Sequence, residues 1–234
     1  GAFDRCWDGN AYRHPDYKGM TDDRVQALAV VAGIADEDKY PAILNTLRTV
    51  RHASPYMEKY VMEALFKMGQ GAVGMERVRE RYATMVQDTA HTTLYELWSI
   101  GGSSVNHAWS GGPLTVIAQC LMGVRPVEPG FKTFAIAPQY VFFKRASHSF
   151  AIPQGMVATA YHIDNEGTLT MDLTIPRHTR ALVDIPATDR ERIRVDGKRL
   201  AKDQVVAVGP SSSTCRLKPG THRIVVEGYR QATR

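Results

Sequence analysis

The sequence of 234 residues has few of the features that mark a membrane or metal-binding protein. It has no apolar run of about 18 residues, so we expect no transmembrane helix. Its three cysteines, Cys6, Cys120 and Cys215, lie far apart and lack the spacing of metal ligands. The eight histidines form neither an HxH nor an HxxxH pair. These absences argue against a structural metal site.

The start of the chain carries no targeting signal. Residues 1–5 (Gly-Ala-Phe-Asp-Arg) lack the basic and then apolar pattern of a signal peptide, and no Met opens the chain. We expect a piece of a longer protein, with Gly1 left from cloning. A signal peptide would then lie upstream, so a periplasmic or secreted location and a cytoplasmic one both stay open.

The composition is that of an ordinary globular protein, with 44% hydrophobic and 23% charged residues. The net charge is +5. Much of this excess lies in one basic cluster: Arg190, Arg192, Arg194, Lys198, Arg199 and Lys202. A nucleic-acid surface is one interpretation of this cluster, but no aromatic residues interleave with it to stack on bases. We therefore favour a solvated face of a sheet and expect no nucleic-acid partner.

Two parts of the chain have different hydrophobic periods, which predicts an α+β protein of two domains. Residues 1–124 are predicted to be helical. Asp22 and Asp23 cap a first helix, which ends at Gly33 and whose predicted inward face is Val25, Leu28, Ala29 and Ala32. Further helices are predicted from Pro41, from Ser54-Pro55, around residues 75–85 and from Ser110.

Residues 125–234 are predicted to form an antiparallel β-sandwich. Short strands with a period of two are expected over residues 131–137, 140–143, 156–162, 168–175, 180–185, 192–200 and 223–227. Turn sequences at residues 164–167 and at Asp196-Gly197 indicate hairpins. A stiff Pro-Val-Glu-Pro-Gly linker at residues 126–130 precedes these strands.

A long loop between the fourth and fifth helices, roughly residues 87–110, concentrates the polar and aromatic side chains. It contains Glu96 between Tyr95 and Trp98, then His107 and Trp109. Long loops inside compact domains are usually functional. Glu96 is either a surface carboxylate or a general base, and His107 either a structural residue or a hydrogen-bond donor to a sugar. The two indoles are either hydrophobic lids or surfaces that stack on a pyranose.

Several motifs together resemble the C-terminal part of bacterial α-L-rhamnosidases, the inverting glycoside hydrolase family 78. They are Thr-Thr-Leu-Tyr-Glu-Leu-Trp at residues 92–98, Asn-His-Ala-Trp-Ser-Gly at 106–111, Gly-Val-Arg-Pro-Val-Glu-Pro-Gly-Phe-Lys at 123–132 and Pro-Gln at 138–139. Upstream, Trp-Asp-Gly at 7–9, residues 27–35 and Ser-Pro-Tyr-Met at 54–57 also match. The resemblance covers nearly the whole chain.

The resemblance implies both a fold and a set of roles. Residues 1–124 would be the second half of an (α/α)₆ barrel, and the β-sandwich would follow it. Glu96 would be the catalytic base, His107 would bind the sugar, and Trp98 and Trp109 would line its wall. The substrate would be an α-L-rhamnoside of a plant glycoside or polysaccharide, and no cofactor would be needed.

The second carboxyl group that an inverting hydrolase requires is missing from the chain. In the resembled family the general acid is the Glu of an Asp-Gly-x-x-x-Glu motif, whereas Asp8-Gly9 here has no following Glu. We therefore expect the isolated chain to be inactive. The exposed helix faces of a half barrel predict an oligomer, association with the missing N-terminal half, or rearranged helices.

Two alternative functions stay open. One is a barrel glycosidase of the same shape that acts on another sugar. The other is a non-catalytic carbohydrate-binding or assembly module, in which aromatic residues of the sandwich, Tyr140, Phe142, Phe143 and Tyr161, would form the binding face. Core packing explains these four residues more simply.

Overall fold

The computed structural model describes residues 2–229, and its first part is helical. Five α-helices follow one another: α1 (Asp23–Val31), α2 (Tyr40–Thr49), α3 (Pro55–Lys67), α4 (Gly71–Gln87) and α5 (Gly112–Val116). Helix α3 is central, because α1, α4 and α5 all pack against it. No helix among the described residues is long and apolar enough to cross a membrane.

Local capping chemistry defines the helix ends as predicted. The carboxylate of Asp22 accepts a hydrogen bond from the Arg24 amide at the start of α1. The Ser54 hydroxyl accepts one from the Met57 amide at the start of α3, where Pro55 occupies the first turn. Gly33 lies beyond α1 with a φ of 71°, a left-handed conformation that favours glycine.

The predicted inward face of α1 is wrong in part. Val25 and Leu28 are 44% and 43% exposed, whereas Ala27 and Val30 are fully buried against the other helices. The helix is therefore apolar on two sides. Val25 and Leu28 face a cleft of about 650 Å³ whose lining also includes Phe3, Tyr17, Met20 and Ala32. We call this the α1 cleft.

The second part of the described chain contains two sheets. The strands are β1 (Val124–Pro126), β2 (Thr133–Ile136), β3 (Arg145–Ile152), β4 (Gly155–Ile163), β5 (Leu169–Ile175), β6 (Arg180–Ile185), β7 (Ile193–Val195), β8 (Lys198–Arg199), β9 (Val205–Val208), β10 (Ser213–Leu217) and β11 (Gly220–Val226). One sheet has the order β1-β2-β6-β10-β9 and the other β3-β4-β5-β11-β7-β8. The α+β architecture with a β-sandwich is thus confirmed.

Several details of the sandwich differ from the sequence prediction, which did not include strands β1, β3, β9 and β10. Strand β2 pairs with β6 in parallel, whereas all other named pairs are antiparallel. Residues 140–143 form turns rather than a strand. Tyr140 and Tyr161 are buried and their rings meet edge to face with centroids 5.0 Å apart. Both therefore belong to the core that the two sheets share, which argues against a binding face built on them.

The conformation at Gly123 explains why the linker motif begins with a glycine. Its φ is 66°, and a Cβ there would collide with the backbone carbonyl of Ala137. The Gly123 carbonyl accepts a hydrogen bond of 3.1 Å from the Ala137 amide. Only glycine allows this close backbone approach, which sets the pairing of β1 with β2.

The basic cluster is largely paired with acidic groups and carbonyls on the surface. Arg194 contacts Glu227 at 3.3 Å and Arg199 contacts Glu191 at 2.6 Å. Arg192 donates to the carbonyls of Glu227 and Gly228. These contacts join much of the basic cluster to neighbouring groups on the same surface, and its predicted role as a solvated face stays a prediction.

The chain divides into two compact units between Val116 and Ile117. The α-helices belong to the first unit and the strands to the second. The domain boundary predicted at 124/125 lies later in the chain, within β1 itself, and stays a prediction.

Candidate functional site

The loop that carries Glu96 is anchored at its start by Asp88. The Asp88 carboxylate accepts hydrogen bonds from the Tyr95 hydroxyl, from the His91 ring at 2.9 Å and from the Ala90 amide at 2.8 Å. These bonds hold the pKa of Asp88 below its usual range, with the Tyr95 hydroxyl contributing most. The same bond raises the pKa of Tyr95 to about 12. The hydrogen bond from the buried Tyr95 side chain to the charged Asp88 carboxylate thus fixes the start of the loop.

The far end of the loop is closed by Ser110, a buried polar residue that the sequence predicted only as the start of a helix. Its hydroxyl donates to the Tyr95 carbonyl at 2.6 Å. Its own carbonyl accepts from the Tyr82 hydroxyl, which also donates to Pro55 at the start of α3. The loop is therefore tied both to itself and to the central helix.

Backbone pairing inside the loop brings Glu96 and His107 side by side. The Glu96 amide donates to the Ser104 carbonyl at 2.8 Å, and the His107 amide donates to the Leu94 carbonyl at 3.0 Å. The hydroxyl of Thr93 donates to the Val105 carbonyl. The chain folds back on itself here, so residues eleven positions apart become neighbours.

The carboxylate of Glu96 lies 3.8 Å from Nδ1 of His107, measured to Oε2. The same oxygen accepts a hydrogen bond of 3.1 Å from the Ser104 amide. The side chains are 31% and 35% exposed, so each keeps one side open to solvent. An oriented carboxylate with a solvent-facing side and an imidazole beside it can activate water and donate to a hydroxyl.

Trp109 packs against the His107 ring of this pair. Its ring centroid is 4.1 Å from that of His107 and 5.1 Å from that of Tyr56 on α3. Trp109 is 40% exposed, which leaves a large apolar ring surface next to the polar pair. This is the arrangement expected of a wall residue, although contact with a sugar stays a prediction.

Contacts with residues outside the loop hold the Trp98 side chain in place. Its indole N–H donates to the Ala53 carbonyl at 2.7 Å, and its ring meets Tyr82 edge to face at 5.1 Å. The Arg81 guanidinium lies 4.1 Å from the ring centroid, a cation–π distance. Trp98 therefore anchors the loop onto the helices. It also lines an open cleft of about 530 Å³ beside the loop, so its predicted substrate contact stays a prediction.

A buried ionic network supports this anchor and escaped sequence analysis. Arg77 on α4 donates to Glu58 on α3 at 2.7 and 2.9 Å and to Asp23 on α1 at 2.6 Å. Arg81 also pairs with Glu58. Asp23 and Glu58 are completely buried and Arg77 nearly so. Because the partners are 19 and 54 residues from Arg77 in the chain, no local pattern reveals them.

One group of side chains in the described structure has the composition of a metal site. Asp22, Asp23 and His52 bring one ligand atom each within 4.8 Å of one another. However, Asp22 already pairs with Arg24, and Asp23 with Arg77. These guanidinium groups supply the positive charge that a cation would otherwise bring.

Residues 123–199 match the family model described as the bacterial alpha-L-rhamnosidase C-terminal domain. An α-L-rhamnosidase of Formosa agariphila is 29% identical over 118 residues, which are 46% of this chain and 13% of that protein. In sequence and in fold, the chain matches the C-terminal part of α-L-rhamnosidases.

Two solved structures show the same fold over nearly the whole chain. The α-L-rhamnosidase of Dictyoglumus thermophilum superimposes with a TM-score of 0.76 at 20% identity, covering 95% of this chain and 27% of that one. The Streptomyces avermitilis α-L-rhamnosidase complexed with L-rhamnose gives 0.68 at 20% identity, covering 94% and 23%. The chain thus spans about a quarter of these enzymes and 13% of the Formosa agariphila enzyme. The predicted resemblance to α-L-rhamnosidases is confirmed.

Proposed function

We propose that this chain is the C-terminal part of an inverting α-L-rhamnosidase in which Glu96 activates the attacking water. The observation that carries the proposal is the Glu96–His107 pair. The Glu96 carboxylate is oriented by the Ser104 amide and partly exposed to solvent, and the exposed Trp109 ring contacts His107. The match of the chain to α-L-rhamnosidases supports rhamnose as the sugar.

In an inverting reaction, Glu96 removes a proton from water as the water attacks the anomeric carbon. A general acid protonates the leaving oxygen on the opposite face, about 6.5–9.5 Å from the base. His107 donates to a hydroxyl of the bound sugar, and Trp109 covers the apolar face of its ring. The general acid comes from the part of the parent protein that precedes this chain, so the chain alone is inactive.

The test is an assay of the parent protein, with the preceding half present, on a panel of aryl glycosides. We expect hydrolysis of the aryl α-L-rhamnoside, with the inverted β-anomer of rhamnose appearing first by NMR. The isolated chain should show no turnover. Hydrolysis of a different glycoside would favour the alternative barrel glycosidase, and a retained anomer would contradict the role of Glu96.

We also propose that the helical part extends to residue 124 and the sandwich domain begins at 125. The start of the family match at residue 123 supports this boundary.

The α1 cleft is, in this proposal, the face covered by the missing half of the barrel. Its exposed lining includes Val25, Leu28, Met20 and Tyr17. Contiguous apolar surface of this kind drives association when it is left open. We expect the isolated chain to self-associate as its concentration rises, and Leu28→Glu to shift it toward monomer in sedimentation experiments.

Val86→Glu is the matched control, because Val86 is an apolar residue on α4 that is 75% exposed and is not among the residues lining the α1 cleft. That variant should associate as the unchanged chain does. A chain that stays monomeric at all concentrations, or equal effects of the two variants, would contradict the assignment of the cleft.

A further inference from the structure

A row of aromatic rings leads away from Glu96 and crosses from the loop onto helix α3. His107 lies beside Glu96, and Trp109 follows at 4.1 Å between ring centroids. Tyr56 follows Trp109 at 5.1 Å, and Tyr60 follows Tyr56 at 5.8 Å. These centroid distances show that each ring contacts the next ring in the row.

Two neighbouring rings of the row are exposed to solvent. Tyr56 is 39% exposed and Trp109 is 40% exposed, although they are in mutual contact. Core packing therefore does not explain the pair. Together they present a continuous apolar surface with polar groups at one end, which is how proteins hold the apolar faces of sugar rings.

The local structure holds Tyr56 in place. It lies in the first turn of α3, directly after Pro55, and the Ser54 side chain caps that turn. The Tyr56 and Tyr60 hydroxyls are 3.3 Å apart and share a hydrogen bond, while their rings meet edge to face. Tyr60 thus positions Tyr56, whose other neighbour in the row is Trp109.

The order of the row fits the geometry of an inverting reaction. The base and the leaving oxygen lie on opposite faces of the sugar that is attacked, and the two catalytic carboxyl groups are about 6.5–9.5 Å apart. If that sugar lies beside Glu96 and His107, the ring attached to the leaving oxygen lies farther along the row. Tyr56 is two rings beyond the Glu96 pair in that direction.

We propose that Tyr56, together with Trp109, binds the second sugar ring of the substrate, on the leaving-group side of the bond that is cleaved. The ligand class is therefore a rhamnosyl disaccharide or a longer saccharide rather than free rhamnose. The assignment of this ring to the leaving-group side rests on the proposed role of Glu96. The proposal that the rings bind a sugar rests on their contacts with one another and their exposure.

Binding is tested on the isolated chain by NMR, because it has only three tryptophans and one of them is Trp109. A titration of the ¹⁵N-labelled chain with a rhamnosyl-glucose disaccharide should shift the indole signal of Trp109 and leave that of Trp7 in place.

Tyr56→Ala should weaken disaccharide binding by about two- to tenfold, the effect of losing one aromatic stacking contact, and Tyr56→Phe should retain it. Tyr17→Ala removes an exposed tyrosine that lines the α1 cleft and should bind normally. An unshifted Trp109 signal, or equal affinities of Tyr56→Ala and the unchanged chain, would overturn the proposal.

A second measurement separates this proposal from the proposed function. In the parent protein, Tyr56→Ala should lower kcat/KM for the rhamnosyl disaccharide by about two- to tenfold relative to kcat/KM for an aryl rhamnoside, mainly through KM. If the parent hydrolyses no rhamnoside, the proposed function fails while the NMR titration still decides the role of Tyr56. If kcat/KM falls equally for both substrates, Tyr56 does not act on the second ring.

Discussion

Glu96→Gln is expected to lower kcat of the parent protein for an aryl α-L-rhamnoside by about 10²–10⁴-fold, the usual contribution of a general base. The amide keeps the shape of the side chain and its acceptor oxygen for the Ser104 amide, but it cannot remove a proton from water. KM should change little, because the group acts in the transition state more than in substrate binding. Steady-state kinetics at several pH values would measure both constants.

A chemical rescue makes this test specific to the base. Glu96→Ala leaves space where the carboxylate stood, and azide attacks without needing a proton removed. Added azide should therefore restore turnover of Glu96→Ala and give a rhamnosyl azide of inverted configuration. Glu76→Gln serves as the matched control, since Glu76 is an exposed carboxylate on α4. Unchanged activity of Glu96→Gln would remove Glu96 from the mechanism.

The features that could be predicted from the sequence are those determined by neighbouring residues. The caps at Asp22 and Ser54 define where helices α1 and α3 begin, because each side chain satisfies an amide within three residues. The turn at Asp196-Gly197 lies between β7 and β8, where both residues have positive φ. Short-range chemistry of this kind leaves a clear pattern in the sequence.

The buried face of α1 could not be predicted, because the helix is apolar on two sides. Periodicity identified Val25 and Leu28 as inward, and these residues line the exposed α1 cleft instead. The parallel pairing of β2 with β6 was missed for a related reason. The paired residues are more than 40 positions apart, and strand periodicity does not specify which partner a strand takes.

The candidate site was partly predictable. The motif placed Glu96, His107 and Trp109 in one loop, and the backbone pairing with Leu94 and Ser104 accounts for their proximity. The contribution of Tyr56 could not be predicted, because no sequence pattern distinguishes a binding tyrosine from any other tyrosine in the first turn of a helix. Its contact with Trp109 exists only in three dimensions.

Arg77→Met is expected to destabilise the helical unit by about 3–5 kcal/mol, the cost of removing one partner from a buried ion pair. Arg77 donates to Glu58, to one oxygen of Asp23 and to the carbonyls of Leu47 and Val50, so the variant leaves two buried carboxylates without their main donor. The expected fall in Tm is roughly 10–20 °C for a unit of this size. Tryptophan fluorescence reports on this unit alone, because Trp7, Trp98 and Trp109 all lie in it and none lies in the sandwich.

Arg77→Lys separates the loss of charge from the loss of geometry. Lysine keeps the positive charge but lacks the planar fork that reaches both carboxylates and the two carbonyls at once, so its Tm should lie between those of Arg77→Met and the unchanged chain. Arg79→Met is the control, because Arg79 is exposed on the same helix. This variant should melt at the same temperature as the unchanged chain.

Since Arg81 links Glu58 to the Trp98 ring, a loosened network should also release the Trp98 anchor and quench its fluorescence before global unfolding. If Arg77→Met and Arg79→Met have the same Tm, the network does not stabilise the helices that hold the loop.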